Sequence, residues 1–291
     1  MSGSDSQLAD FDTIFFDVYG TLCDWETGIY EGLKPLLSQF PTSSAWSRKE
    51  ALETFTSIES DLQSEHPTLL YRDLLAKAHQ VLEQRLRGQD TSPSNDSDHT
   101  LFGNSIKNWP LFPDTTKALR ILSKHYKLCV LSNVDRQSFS HTLAKLSDDE
   151  AHPELYHPPP GESKNVNWFP QDTPNSKSPF TLILTAQDTG VYKPDLGGFE
   201  AALRIVNSEP RFGVSGDGDR GGSAKERVLW VAQSLFHDVE PATKMGLTSV
   251  WIDRAGAAMG LNAGHTYKWK FGTLGEMADE VEKEKKRGEG K

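Results

Sequence analysis

Two cysteines in 291 residues, Cys23 and Cys129, are too few for a disulfide framework, and neither stands at metal-ligand spacing. Both read as small buried side chains. No apolar run approaches the length that crosses a bilayer, and Met1-Ser2-Gly3-Ser4-Asp5-Ser6 has neither the basic start nor the apolar core of a secretion signal. The cytoplasm is therefore the expected compartment. Basic blocks are scarce as well: 31 Lys+Arg against 41 Asp+Glu give a formal net charge of -10, and the one cluster, Lys285-Lys286-Arg287, reads as a solvated tail. Nucleic acid and membrane are thus poor partners, and a small molecule is the expected one.

What the chain does have is a set of short apolar runs of strand character, with 36% hydrophobic residues to build a core. The first, Phe11 to Leu22, is β-branched and aromatic, delivers Asp17, and breaks at Gly20. A run of this kind suits a strand buried on both faces of a parallel sheet, and ligands bind at the carboxyl ends of such strands. Asp17 is therefore a candidate nucleophile, the alternative being a carboxylate that only caps the turn. Residues 26–107 change character. Leu52, Phe55, Ile58, Leu62 and then Leu70, Leu74, Ala78, Leu82 recur at helical spacing, which predicts a helical insertion closing on the polar loop 88–98.

Helix and strand alternate again from 115 onward, with strands at 128–131, 180–184, 228–232 and 249–252, a helix over 198–206 and a charged C-terminal helix. The pattern predicts an α/β fold, a doubly wound parallel sheet of Rossmann-like type, with the core in 1–25 and 108–291 and a helical cap in 26–107. Residues 148–179 read as a surface excursion without a core of its own, and His141, His152 and His157 as surface histidines. The glycine-rich stretch Gly213 to Gly222 matches neither a phosphate loop nor a calcium loop and reads as linker.

Each long strand is followed by a different polar group: Asp17, then Ser132 with Asn133, then Lys193, then Asp238. In order and context these resemble the four motifs of the haloacid dehalogenase superfamily. The resemblance implies Asp17 as nucleophile, Lys193 as the cation that holds it ionised, Asp238 as the acidic residue of the fourth motif, and Thr21, Ser132 and Asn133 as hydrogen-bond donors. Phosphatase members carry a second Asp two residues after the nucleophile, where this chain has Tyr19, and a metal-binding Asp four residues before the last one, where it has Ser234. Asp-Val-Tyr-Gly-Thr-Leu instead resembles the 2-haloacid dehalogenase branch, which uses neither metal nor cofactor. The implied reaction converts an (S)-2-haloacid to the (R)-2-hydroxyacid through an aspartyl ester.

Three positions depart from that branch. Its cap arginine follows a Trp directly, whereas the closest candidate here is Arg48 in Trp46-Ser47-Arg48; Phe199 replaces a Tyr; Leu235 replaces an Asn, with His237 and Glu240 as unusual neighbours of Asp238. A phosphatase that rebuilds its metal site through His237 or Glu240, and a non-catalytic binding protein, are the competing expectations. His237 has two readings of its own, a catalytic group or a residue packed at a helix start.

Overall fold

Thr13-Ile14-Phe15-Phe16 is buried on both sides, and strand pleating sends Ile14 and Phe16 into one apolar layer and Phe15 into the other. This strand, β1 (Thr13–Phe16), is the centre of the sheet. The structure is a computed structural model that describes residues 6–89, 95–160, 166–213, 223–260 and 266–289. After β1 come four helices, α1 (Trp25–Leu37), α2 (Arg48–Glu65), α3 (Tyr71–Arg87) and α4 (Asp96–Gly103), and then α5 (Thr115–Leu122). The chain continues through β2 (Lys127–Ser132), α6 (Arg136–Leu146), β3 (Phe180–Thr185), the short α7 (Ala186–Thr189), α8 (Leu196–Ser208) and one turn, α9 (Ala224–Arg227). It closes with β4 (Val228–Ala232), α10 (Glu240–Lys244), β5 (Thr248–Ile252), β6 (Trp269–Phe271) and α11 (Leu274–Glu289).

All six strands are parallel, in the order β3-β2-β1-β4-β5-β6. The order reverses at β1, so a crevice opens at its carboxyl end between β2 and β4. One face of the sheet packs on Ala118, Leu119, Phe139, Leu143 and Met277 from α5, α6 and α11. The other packs on Phe199, Ala202 and Val206 from α8. The fold class is thus the doubly wound parallel sheet that the strand pattern predicted.

The helices from Trp25 to Gly103 pack in sequence against one another. The starts of α1 and α2 are set locally: the Asp24 side chain accepts the Thr27 N–H, and Ser47 with Glu50 forms a capping box that fixes α2 to begin at Arg48. Their apolar interior, Phe55, Leu74 and Phe102 among it, is continuous with the layer on β1.

Several local expectations need correction. Lys285-Lys286-Arg287 lies within α11, where the Lys285 ammonium caps the Ala9 carbonyl. The excursion at 148–179 is not merely superficial, because Tyr156 and Trp168 are fully buried and Asp149 ties Tyr156 to Lys177. The linker reading of 213–222 falls almost wholly outside the described residues, as does part of the loop at 88–98. No helix among the described residues is long and apolar enough to cross a membrane.

Helices α3 and α4 touch so closely that a Cβ on Gly103 would come within 2.3 Å of the Arg72 carbonyl oxygen. Backbone cannot swing aside as a side chain can. Gly103→Ala is therefore expected to cost roughly 1–3 kcal/mol by urea denaturation, whereas Gly288→Ala, which meets nothing within 4 Å, changes stability little.

Candidate active site

Asp17 is the first residue beyond β1, and its N–H still bonds the Val231 carbonyl of β4, so its side chain leaves the sheet at the switch point. Gly20 then adopts φ 103°, a conformation that favours glycine, and the N–H groups of Thr21, Leu22 and Cys23 all turn back onto the Val18 carbonyl. That turn returns the Thr21 hydroxyl to Asp17, donating to Oδ2 at 2.6 Å while accepting the Gln233 N–H at 2.8 Å. Thr21 thereby fixes the orientation of the carboxylate.

The other oxygen of Asp17 meets Lys193. The Lys193 ammonium donates to Asp17 Oδ1 at 2.8 Å, to Asp238 Oδ1 at 2.8 Å and to the Leu131 carbonyl at 3.0 Å, so all three of its protons are placed. Lys193 is 4% exposed and Asp238 0%. Burial pulls the lysine pKa down, but the charges and hydrogen bonds of Asp17 and Asp238 more than offset this and hold it above its ordinary value. Burial raises Asp238, Lys193 opposes that, and the Asp17 charge raises it again, with a net upward displacement. Trp230 Nε1–H adds a bond to Asp238 Oδ1 at 3.1 Å, while Asp238 Oδ2 is buried with no partner among the described residues. An acceptor in that state suits binding and deprotonating a water.

Asn133 has a different task from the one expected of it. Its amide nitrogen donates to the Lys193 carbonyl at 3.0 Å, and its Oδ1 accepts the Lys193 N–H at 2.6 Å, so it clamps the lysine backbone while lining the same cavity as Asp17. Ser132, by contrast, keeps a buried hydroxyl with no partner among the described residues.

Asp17, Ser132, Lys193 and Asp238 share a cavity of about 320 Å³. Tyr19 lines it too, its hydroxyl 2.8 Å from Thr142 Oγ1; burial raises its pKa well above that of an ordinary phenol, so it is a poor acid here. His237 lines the cavity within a single π-type turn, Leu235–Val239. Its N–H donates to Ser234 Oγ at 3.0 Å and its Nδ1 lies 3.2 Å from the same atom, and burial beside Lys193 pushes it down to about 4, leaving a neutral imidazole at neutral pH.

Arg48 is the correction. It lies outside this cavity, 3.1 Å from Glu26 and 3.9 Å from Asp24, because the capping box at Ser47 starts α2 beside the two carboxylates that begin α1. Among the described residues no arginine lines the Asp17 cavity. Sequence reasoning also missed the α2 wall, where Thr56, Glu59, Ser60 and Gln63 face the cavity at helical spacing, with the Tyr71 hydroxyl donating to Glu59 Oε1 at 2.7 Å. The signal was present, since a Glu interrupts the apolar stripe Phe55, Ile58, Leu62.

The donor set does not fit a divalent cation. The place between the Asp17 and Asp238 carboxylates is held by an ammonium, and the Ser234 hydroxyl is engaged by the His237 N–H. No three His, Cys, Asp or Glu side chains converge among the described residues.

A family model described as haloacid dehalogenase-like hydrolase matches residues 11–221. No curated protein gives a significant sequence match. Among solved structures the chain is similar to the L-2-haloacid dehalogenase from Xanthobacter autotrophicus, with TM-score 0.60, 13% identity, and coverage of 94% of this chain and 98% of that one. It is similar to a defluorinating L-2-haloacid dehalogenase at TM-score 0.63 and 14% identity, covering 94% and 95%. It is also similar to a HAD-hydrolase from Bacillus subtilis bound to magnesium, with TM-score 0.60 and 14% identity, covering 94% of this chain and 99% of that one. At such identities these likenesses concern the fold alone.

Removing the cation leaves two buried carboxylates unpaired. Lys193→Met is expected to cost about 3–5 kcal/mol in urea denaturation, part of it recovered by adding Asp238→Asn; a variant as stable as wild type would show that the ammonium does not neutralise the pair. The Glu59 carboxyl gives a second expectation. Burial lifts it to about 7, opposed by the Tyr71 hydrogen bond. Between pH 4.5 and 7 the folded state holds a proton that the unfolded chain has released, so this group lowers stability as pH rises through that window. Wild type should lose up to roughly 3 kcal/mol relative to Glu59→Gln between pH 4.5 and 7.5, read by denaturation at both pH values.

Proposed function

The chain belongs to the haloacid dehalogenase-like hydrolase family, and on that premise we propose that it displaces halide from 2-haloacids through an ester on Asp17. The observation that carries the reading is the shared ammonium: Lys193 touches both Asp17 and Asp238, while Tyr19, where an acid would serve a leaving group, has its pKa raised far from acidity. A leaving group that departs without a proton must be stable as an anion, and halide is. An alkoxide is not.

In the first step an Asp17 carboxylate oxygen attacks C2 of the substrate, the carbon–halogen bond breaks with its electron pair, and the centre inverts, turning an (S)-2-haloacid into an (R)-configured ester. Thr21 and Lys193 hold the carboxylate on opposite oxygens, so the attacking group is aimed before substrate arrives. In the second step a water attacks the Asp17 carbonyl carbon, giving its proton to Asp238 Oδ2. The ester bond opens, the hydroxyacid leaves with that proton returned to its oxygen, and the Asp17 carboxyl gives up the second proton of the water to solvent, which restores the carboxylate. Hydrolysis at the aspartyl carbon leaves the inverted C2 untouched.

In this reading residues 26–107 form the cap over a core made of 1–25 and 108–291, and Ser132 supplies a donor to the substrate carboxylate. Arg48 has no part in halide capture. The enzyme works in the cytoplasm on a small molecule, without metal or cofactor.

Halide release from 2-chloropropionate in the presence of a chelator tests the proposal. Wild type should release chloride, Asp17→Asn should lose at least about a thousandfold, and Asp238→Asn should accumulate protein carrying one propionate ester at Asp17, read by intact mass and peptide mapping. No release by wild type, or undiminished release by Asp17→Asn, overturns it. Release that appears only with Mg²⁺ would favour a metal-dependent hydrolase instead.

A further inference from the structure

A halopropionate has about six heavy atoms and fills on the order of 100 Å³, the room of three or four waters. The cavity offers about 320 Å³. Part of the surplus is lined by polar side chains. Helix α2 presents Thr56, Glu59, Ser60 and Gln63 to it, four residues on one face at the i, i+3, i+4, i+7 positions, with Tyr71 beside them. Glu59 is 9% exposed, at the border between this polar face and the apolar stripe of Phe55, Ile58 and Leu62. Its Oε1 accepts both the Tyr71 hydroxyl at 2.7 Å and the Gln63 amide at 3.4 Å, while Oε2 bonds to no side chain or backbone among the described residues. A nine-tenths buried carboxylate whose one oxygen is held by a neighbouring tyrosine, and whose other oxygen is left for a ligand, is placed to accept a hydrogen bond from a group in this space.

We propose that Glu59, held by Tyr71, forms a distal subsite that selects substrates carrying a hydrogen-bond donor, an ammonium or hydroxyl group, at the end of the chain remote from the reacting carbon. This rests on the displacement reading above, and it names the preferred substrate class: elongated 2-haloacids with a donor terminus, turned over in preference to simple haloalkanoates and to dianions. Charge in the cavity points the same way. Lys193 is the single cation on the lining among the described residues, and it is shared by two carboxylates; His237 is neutral. Above pH about 7, where Glu59 is ionised, a second anionic group on the substrate would meet it with nothing to offset the repulsion, whereas an ammonium would pair with it and a hydroxyl would donate to Oε2. Thr56, Ser60 and Gln63 serve either donor as neutral neighbours.

Unhalogenated acids cannot alkylate Asp17 and test the subsite apart from the chemistry. Wild-type protein is titrated calorimetrically with ω-amino and ω-hydroxy acids of four to six carbons, with the alkyl acids of matching length, and with the matching dicarboxylates. At the best length the donor-bearing acid should bind at least tenfold tighter than its alkyl counterpart, with the dicarboxylate weakest, and Glu59→Gln should remove most of that preference. Equal binding of alkyl and donor-bearing acids by wild type, tighter binding of the dicarboxylate, or a preference that survives Glu59→Gln overturns the proposal. Because the wild-type comparison stands alone, it decides the matter even where the variant fails to fold. Chloride release from the corresponding 2-chloro acids is measured alongside: loss of release with the binding preference intact refutes the displacement reading and leaves the subsite standing.

Discussion

One buried ammonium organises the site. Lys193 neutralises two carboxylates that arrive on different elements, Asp17 beyond β1 and Asp238 in the turn after β4, and their desolvation is tolerable only because the cation between them gives each a charged hydrogen bond. That geometry in turn depends on apolar packing. The Trp230 indole that bonds Asp238 lies in the second core layer, stacked on Phe15 at 5.2 Å and on Phe199 at 4.3 Å. Phe199, which lacks the hydroxyl expected at its position, supports the acid through the indole instead of touching a substrate. The backbone of Lys193 is fixed independently by Asn133, so packing, clamp and charge converge on the same atom.

The parts legible in the sequence were those governed by local pattern and strand context. Unbroken β-branched and aromatic runs gave away the buried parallel strands, and the polar residue ending each of them had to lie at one edge of the sheet once the strands were parallel. Asp17, Thr21, Ser132, Lys193 and Asp238 are brought together for that reason. What escaped was decided by long-range contact. The clamp that Asn133 makes on Lys193 is one such contact, because Ser-Asn at a strand end shows no sign of a lysine backbone arriving from 60 residues away. Arg48 was assigned by its distance from a Trp, but its partner was set by a capping box one residue earlier. Glu59 looked like a flaw in an apolar stripe, and only the packing of α2 shows that the stripe has a cavity at its edge.

Arg48 is used elsewhere, and its position illustrates how the cavity is built. It pairs with Glu26, whose carboxylate accepts the N–H groups of Ala258 and Met259 at 2.9–3.1 Å. Met259 and Gly260 line the cavity, and the Gly260 carbonyl accepts the Leu235 N–H just ahead of the turn that carries Asp238. A cation removed from the reacting centre thus holds the loop that shapes it. The positive charge is spent on position rather than on the substrate.

That division has a chemical consequence. A displacement that forms an anion must both stabilise it and let it go, and a guanidinium beside the leaving group does the first at the expense of the second. Here Lys193 is the single lining cation among the described residues, and both its neighbours are carboxylates, so little attraction remains to retain a departing anion. The same balance weakens the grip on any anionic substrate. In the reading proposed above, recognition falls to groups that discriminate without a net positive field, namely the Ser132 hydroxyl, which has no partner among the described residues, and the neutral and acidic side chains of α2. In the proposed reaction, the charge arithmetic that frees the product is what would leave selection of the substrate to the helical wall.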